Sequence, residues 1–430
     1  MGTLVSSADL AVIGAGVSGL AAAREALRLG LRTIVLEAKD RVGGRALTDT
    51  SSFGVPFDRG AFWLHSADVN PLTRLALAWG FHLRLHRRTR QVRIGNRWAT
   101  TGELRERRAF YDRNFAAIDR AGRQGLDIPV SRVIETGKRW SPMLRRWIAA
   151  LSGSDPEEAS TLDFWNYRDT GKNWPVREGM GALIGRLGEG LPVELQTPVR
   201  RVGWGGRGVR LETPGGTLRA RAVILTVSTG VLASGLIRFD PPLPDWKQAA
   251  IQGLPMGKAN KIAFAFGHNV FGLPAQSSAS LLSSTPETVM FQIRPFGWNL
   301  AIGYVGGSFC SELERAGEAA MTDLALAQLK AIFGSGISRR LVRSACTGWE
   351  GDRFIRGGYS AALPGHAHRR ADLAGPVADR LFFAGEAAST EFFSTVHGGY
   401  LAGIEAARAA AKRLPSPGGR RKPTGRRPSR

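Results

Sequence analysis

Residues 10 to 37 spell out a complete strand, turn, helix and strand, and this unit constrains the fold more than any other stretch. Leu10-Ala-Val-Ile13 is a short apolar run that reads as a buried strand. Gly14-Ala-Gly16-Val-Ser-Gly19 follows at once, and residues 17 to 29 then carry helical periodicity up to Gly30. Thr33-Ile-Val-Leu36 is a second buried strand with Glu37 at its carboxyl end, about twenty residues beyond the first glycine. Each part has a physical task. Gly14 permits the tight turn, Gly16 lets a pyrophosphate approach the backbone, and Gly19 allows close packing of helix on strand. The helix amino terminus offers unpaired N–H groups and positive potential to phosphates, and Glu37 can accept ribose hydroxyls. A GxGxxG alone is weak in a chain with 54 glycines, but in this context it predicts a Rossmann-like dinucleotide site.

Later segments leave that unit and return to it. Residues 102 to 123 and 143 to 151 have charged, helical periodicity among aromatic residues, so 80 to 170 reads as a largely helical insertion. Val209 to Thr213, Pro214-Gly-Gly and Leu218 to Val227 predict a hairpin leading into a buried strand. Residues 258 to 266 and 289 to 305 are strand-like, and 317 to 333 are helical. Leu381-Phe-Phe-Ala-Gly-Glu386 is a short strand ending in an acid, before a final helix from about Val396 to Leu414. The predicted class is α/β: a Rossmann-like domain assembled from residues 1–80, 178–248 and 350–414, with an inserted α+β domain from 81–177 and 249–349. The chain of 430 residues is long enough for two such cores.

The formal charge of +23 would ordinarily suggest a polyanionic partner. Here the excess is arginine, 50 against 9 lysines, spread along the chain as compositional drift would spread it. Nucleic-acid contact is therefore not the expected function. Residues 415–430 mix Arg, Lys, Pro, Gly and Ser with little to bury and are expected to be a disordered basic tail. Two unpaired cysteines, Cys310 and Cys346, supply neither a disulfide framework nor a zinc site, so no metal is expected. With no signal peptide and no apolar run long enough to cross a bilayer, membrane insertion is not expected and a cytoplasmic location is.

Beyond Glu37 the sequence continues Ala-Lys39-Asp-Arg-Val-Gly43-Gly44-Arg45, and then Asp58-Arg-Gly60-Ala-Phe62-Trp63-Leu-His65. With the glycine turn, these segments resemble the flavin-containing amine oxidase family, which embraces monoamine oxidases, polyamine oxidases and lysine-specific histone demethylases. The similarity recurs at Arg177-Glu-Gly-Met180, Thr197-Pro-Val199, Gly257-Lys-Ala-Asn-Lys261, Phe383-Ala-Gly-Glu386 and Thr395-Val396-His-Gly-Gly, and is nearest to the polyamine-oxidase branch.

The resemblance implies FAD, with Glu37 at the adenosine ribose. It places Lys39, Gly43, Gly44 and Arg45 along the pyrophosphate and ribityl chain, and Phe62 and Trp63 beside the flavin. Val199 would meet the adenine and Glu386 the sugar-phosphate portion. Thr395 and Val396 would begin a helix under the flavin ring, where N–H groups favour the charge of the reduced form. Lys261 would hold a water against flavin N5, and the implied reaction is amine oxidation by hydride transfer, with imine hydrolysis and reduction of O2 to hydrogen peroxide.

Departures from the family pattern are informative. The acid usual three residues before His65 is Phe62, which puts polyamine specificity and a proton-handling role for His65 in doubt. Gly357-Gly358-Tyr359-Ser360 lacks the cysteine that tethers flavin in monoamine oxidases, so FAD is expected to be noncovalent. Tyr359 could form one aromatic wall, whereas Thr395 stands where the second would be, leaving a half-open cage for secondary or bulkier amines. Trp165, Trp174 and Phe393 read as core packing. A carbon–carbon desaturase, a protoporphyrinogen-oxidase-like enzyme, an L-amino-acid oxidase and an anion-binding protein with structural FAD remain open alternatives.

Overall fold

The computed structural model describes residues 7–84 and 89–414; the basic tail expected over 415–430 lies outside them. Strand β1 (Ser7–Ile13), helix α1 (Val17–Arg28) and strand β2 (Thr33–Leu36) form as their patterns predict. β1 and β2 pair in parallel and are buried along almost their whole length, as a sheet covered on both faces requires.

Remote segments complete this sheet of eight strands. Gly216–Leu225 is the pivot: its first half pairs antiparallel with Val209–Thr213, while its second half lies parallel to β1 and to Leu381–Phe383. Arg201–Gly203 and Arg238–Asp240 extend one edge, and Val193–Glu194 extends the other beyond β2. Strands from three distant stretches of sequence thus share one sheet. The final helix, Val396–Arg413, crosses α1 at a point where Gly403 meets the Ser18 carbonyl; a Cβ on Gly403 would stand 2.1 Å from that oxygen. Small residues there let the first and last helices share one core.

A second sheet of seven strands is ordered Leu341–Cys346, Ala259–Phe266, Leu300–Gly306, Met290–Ile293, Ser277–Leu281, Arg90–Ile94 and Arg97–Trp98. Helices Gly307–Ala316 and Glu318–Phe333 bury their apolar faces against it. Helices Thr101–Arg123, Ser141–Ser152 and Thr161–Asn166 form the helical layer. The insertion is largely helical, as expected, but it also carries a strand pair that its sequence did not signal. Arg90-Gln-Val-Arg-Ile94 and Arg97-Trp98 close a two-residue hairpin at Gly95-Asn96 and join the second sheet. The alternation was hidden by arginines at positions that a half-exposed edge tolerates.

Candidate active site

The carboxyl ends of β1 and β2 open into a continuous cavity of about 1370 Å³ that runs to the second sheet and the helical layer. At its first end, Glu37 is buried and its two oxygens accept from backbone: Oε2 from the Ala15 N–H at 2.6 Å and Oε1 from the Lys39 N–H at 2.9 Å. The Thr197 N–H donates to the Glu37 carbonyl at 2.7 Å, which docks Thr197-Pro-Val199 beside the turn. Gly19 does not line the cavity. A Cβ there would lie 1.9 Å from the Gly14 carbonyl oxygen, so its absence of a side chain sets how tightly α1 sits on β1.

Lys39 and Arg45 line the cavity but are not free cations. Lys39 Nζ pairs with Asp352 at 2.5 Å, and Arg45 Nη1 donates to both Glu386 Oε1 and the Gly358 carbonyl at 2.8 Å. Glu386 is buried with its carboxylate fully engaged, accepting from the Ser360 hydroxyl at 2.6 Å and from the Ser360 and Ser394 N–H groups. Burial alone would raise its pKa, but Arg45 and these donors hold it below the usual carboxylate value. Ser360 also accepts from Arg370, a fully buried guanidinium that grips Asp163 through two 2.7 Å bonds and stacks 3.6 Å over the Phe393 ring. Asp163 and Phe393 both line the cavity, so this network ties the helical layer to the Glu386 loop.

The other end is organised by Asp58 and Lys261. Asp58 is buried, and its carboxylate accepts from Thr48 and from the Met180 N–H, capping the helix Met180–Gly188. This is the physical reason for both the Asp58-Arg-Gly60 and the Glu178-Gly-Met180 segments. Lys261 projects from strand Ala259–Phe266 and donates to the Asp58 and Gly60 carbonyls at 2.6 and 2.7 Å. A lysine has three donors, so one remains for the cavity that Lys261 lines. Burial pulls its pKa down to about 8 despite the neighbouring Asp58. Phe62 and Tyr304 turn their rings to the ammonium at 5.4 and 5.6 Å, and Trp63 packs edge-on against Phe62.

The Tyr359 ring lines the same wall, its hydroxyl tied to the Ala150 carbonyl at 2.5 Å. Thr395 caps the last helix, accepting from the Gly398 N–H at 3.0 Å, and leaves Val396 at the cavity surface. His65 Nδ1 sits 2.7 Å from the Asn173 side-chain oxygen. Thus Gly14, Gly16, Glu37, Lys39, Gly43, Gly44, Arg45, Phe62, Trp63, His65, Val199, Lys261, Tyr359, Glu386, Thr395 and Val396 face one cavity, although up to 382 positions separate them in sequence.

The family model for flavin containing amine oxidoreductases matches residues 17–113 and 130–411. The chain belongs to that family. Among curated relatives, this amine oxidase is 31% identical to polyamine oxidase 4 of Oryza sativa subsp. japonica, over 95% of this chain and 90% of that one. It is 28% identical to polyamine oxidase 2 of Arabidopsis thaliana, over 95% and 89%. The chain spans about half the length of the lysine-specific histone demethylases it also matches. Among solved structures, a putrescine oxidase variant with redesigned cofactor binding superposes with a TM-score of 0.78 at 21% identity, over 94% and 99% of the two chains. Cyclohexylamine oxidase from Brevibacterium oxydans IH-35A superposes with a TM-score of 0.76 at 24% identity, over 95% and 99%.

FAD is the cofactor of this amine oxidase, and the residues present fit it. Helix α1 has no side-chain cap, its first residues line the cavity, and the buried Ser18 hydroxyl beside them has no hydrogen-bond partner among the described residues. Both cysteines are buried and neither lines the cavity, in keeping with noncovalent binding. Among the described residues, no helix is long and apolar enough to cross a membrane. Sequence reasoning missed Asp163, Arg370 and Tyr304, because nothing local marks residues whose partners lie across the fold. It also misread Trp165, which is 41% exposed beneath Arg123 rather than in a core.

Proposed function

We propose that this oxidase takes a hydride from the carbon beside a neutral amine nitrogen while the N–H proton is lost to solvent, giving an imine that water hydrolyses to a carbonyl compound and the released amine. When bound, the flavin would supply the two-electron acceptor and the route to dioxygen that yields hydrogen peroxide. Lys261 carries this reading. It is a buried cation, fixed by two carbonyls, standing in an otherwise aromatic wall of the cavity into which the glycine turn and the last helix also open.

Each residue then has a task. The α1 amino terminus and Gly14, Gly16, Gly43 and Gly44 would hold the pyrophosphate, with Glu37 taking the ribose and Val199 the adenine. Arg45 and Lys39 are held in place by Glu386 and Asp352 along the sugar-phosphate portion. Phe62 and Trp63 would flank the flavin, and the amino terminus of the last helix, Thr395 and Val396, would lend positive potential to its ring. The third Lys261 donor would hold a water toward the reacting edge of the bound cofactor. Tyr359, Tyr304 and Phe62 receive the amine, first as a cation over ring faces and then as the neutral, reactive form. His65 is held in one orientation by Asn173 and positions the substrate.

The test is anaerobic mixing of the holoprotein with mono-, di- and polyamines, amino acids and methyl-lysine peptides. Bleaching of the flavin by an amine, faster as pH rises through that amine's pKa, is the expected result. A flavin that no amine reduces would overturn the proposal.

A further inference from the structure

Away from Lys261 the chamber changes character. Arg90 begins strand Arg90–Ile94, Arg107 lies on helix Thr101–Arg123, and both line the cavity. Tyr111, one helical turn beyond Arg107, places its ring 5.8 Å from that guanidinium. Arg146 approaches the same phenol from helix Ser141–Ser152, buried and bonded to the Thr288 hydroxyl. Among the described residues, none of these three arginines has a carboxylate within ion-pair distance. Of the chamber's own carboxylates, Asp163 is gripped by Arg370, Asp112 lies 3.6 Å from Arg108 and Asp169 accepts from the Gly171 N–H, while Asp119 stands about three turns along the helix from Arg107. Burial and the nearby Arg90 both lower the Arg107 pKa, so the arrangement is held at a cost.

Strand register supplies a ruler. Lys261 pairs with Tyr304 and Tyr304 with Met290; in the adjacent row Gln292 pairs with Ser278, and Ser278 with Arg90. Four strand spacings therefore separate the strand of Lys261 from that of Arg90, roughly 19 Å at ~4.8 Å each.

We propose that the Arg90–Arg107 end is an anion-binding subsite, and that the substrate is an elongated amine bearing a carboxylate or phosphate far from its reacting nitrogen. This rests on the amine-oxidase reading above and narrows it. A polyamine of that length would bring a second ammonium against unpaired guanidiniums, and the Phe62 side chain offers its other end no carboxylate. An anionic end gains charge-assisted, two-pronged hydrogen bonds instead.

The experiment is calorimetry on the holoprotein with straight-chain amines of about twelve carbons, long enough to cover most of that span, whose far ends are methyl, ammonium, carboxylate or phosphonate. The carboxylate or phosphonate compound should bind at least about tenfold tighter than the diamine. The double variant Arg90→Gln/Arg107→Gln should bring that ratio close to one, and Arg107→Lys, which keeps the charge, should retain part of it. The order of carboxylate and phosphonate identifies the anion. A wild-type ratio near one, or a preference that survives the double substitution, overturns the subsite. Anaerobic bleaching with the same compounds separates the two readings. Bleaching without anion preference sinks the subsite alone, whereas anion preference without any bleaching sinks the amine chemistry and leaves the subsite standing.

Discussion

The two ends of the cavity are built on opposite principles. At the end formed by β1, α1 and β2, the turn and the strand end are bound by backbone close in sequence, Glu37 by Ala15 and Lys39 and Gly14 by Leu36, while the cations Lys39 and Arg45 reach across the fold, to Asp352 and Glu386. At the second-sheet end Lys261 is bound across the fold by Asp58 and Gly60, and where the helical layer meets the Glu386 loop Arg370 is bound in the same way by Asp163. A site assembled from one local unit tolerates change elsewhere in the chain, whereas a site assembled across the fold is only as well placed as the packing that brings its parts together. Cofactor affinity should therefore respond to the first end, and rate and substrate choice to the second.

The largest effect should come from breaking the cross-fold pair. Asp163→Leu strands the Arg370 charge where it is only 1% exposed, and should destabilise the protein by about 3–5 kcal/mol in denaturant titrations. The double variant Asp163→Leu/Arg370→Met should recover much of that loss; a double variant no more stable than the single one would show that the pair is not the cause. Next, Lys261→Met should lower kcat/KM by about a hundredfold, the scale of losing a preorganised donor, while flavin stays bound. Loss of flavin together with rate would show that the two ends are not separable.

Proton linkage sharpens the comparison. The folded Lys261 pKa of about 8 lies below its unfolded value, so the ammonium is present below that pH and is lost as pH rises through it. A step that needs this donor should show an alkaline limb near pH 8, and Lys261→Arg should move the limb out of the accessible range. In stability the same shift has the opposite sign. Between about pH 8 and the ordinary lysine pKa the unfolded chain binds more protons, so stability should rise with pH through that window.

At the first end, Glu37→Ala should weaken FAD binding by about tenfold to a hundredfold, the scale of hydrogen bonds to a charged group, read by flavin fluorescence on titration, with kcat of the saturated enzyme little changed. The smallest effect is expected for Asn173→Ala. Freeing His65 Nδ1 from its 2.7 Å contact should raise KM by about fivefold, near the worth of one hydrogen bond. A change in kcat instead would give His65 a place in the chemistry.

How much could be read in advance follows from the same division. Gly14, Gly16, Gly19 and Glu37 were legible because turn, helix dipole and strand end are set by neighbours in sequence, and each part constrains the next. Lys261 was legible only through the resemblance, since a lysine on a strand carries no local mark. The hairpin at Gly95-Asn96 was overlooked because arginines interrupted its alternation, and with it the position of Arg90 in the chamber.

By itself the sequence determined the dinucleotide unit, the α/β class and the absence of a cysteine to tether the cofactor, because short-range hydrogen bonding and hydrophobic period act within a few residues. Only the tertiary structure decided that Asp58 holds Lys261 while capping a distant helix, that Asp163 neutralises Arg370, and that Arg90 and Arg107 face one chamber without a carboxylate partner among the described residues. Electrostatic pairing and burial depend on separation in space, and separation in space is fixed only once both sheets have closed around the cavity.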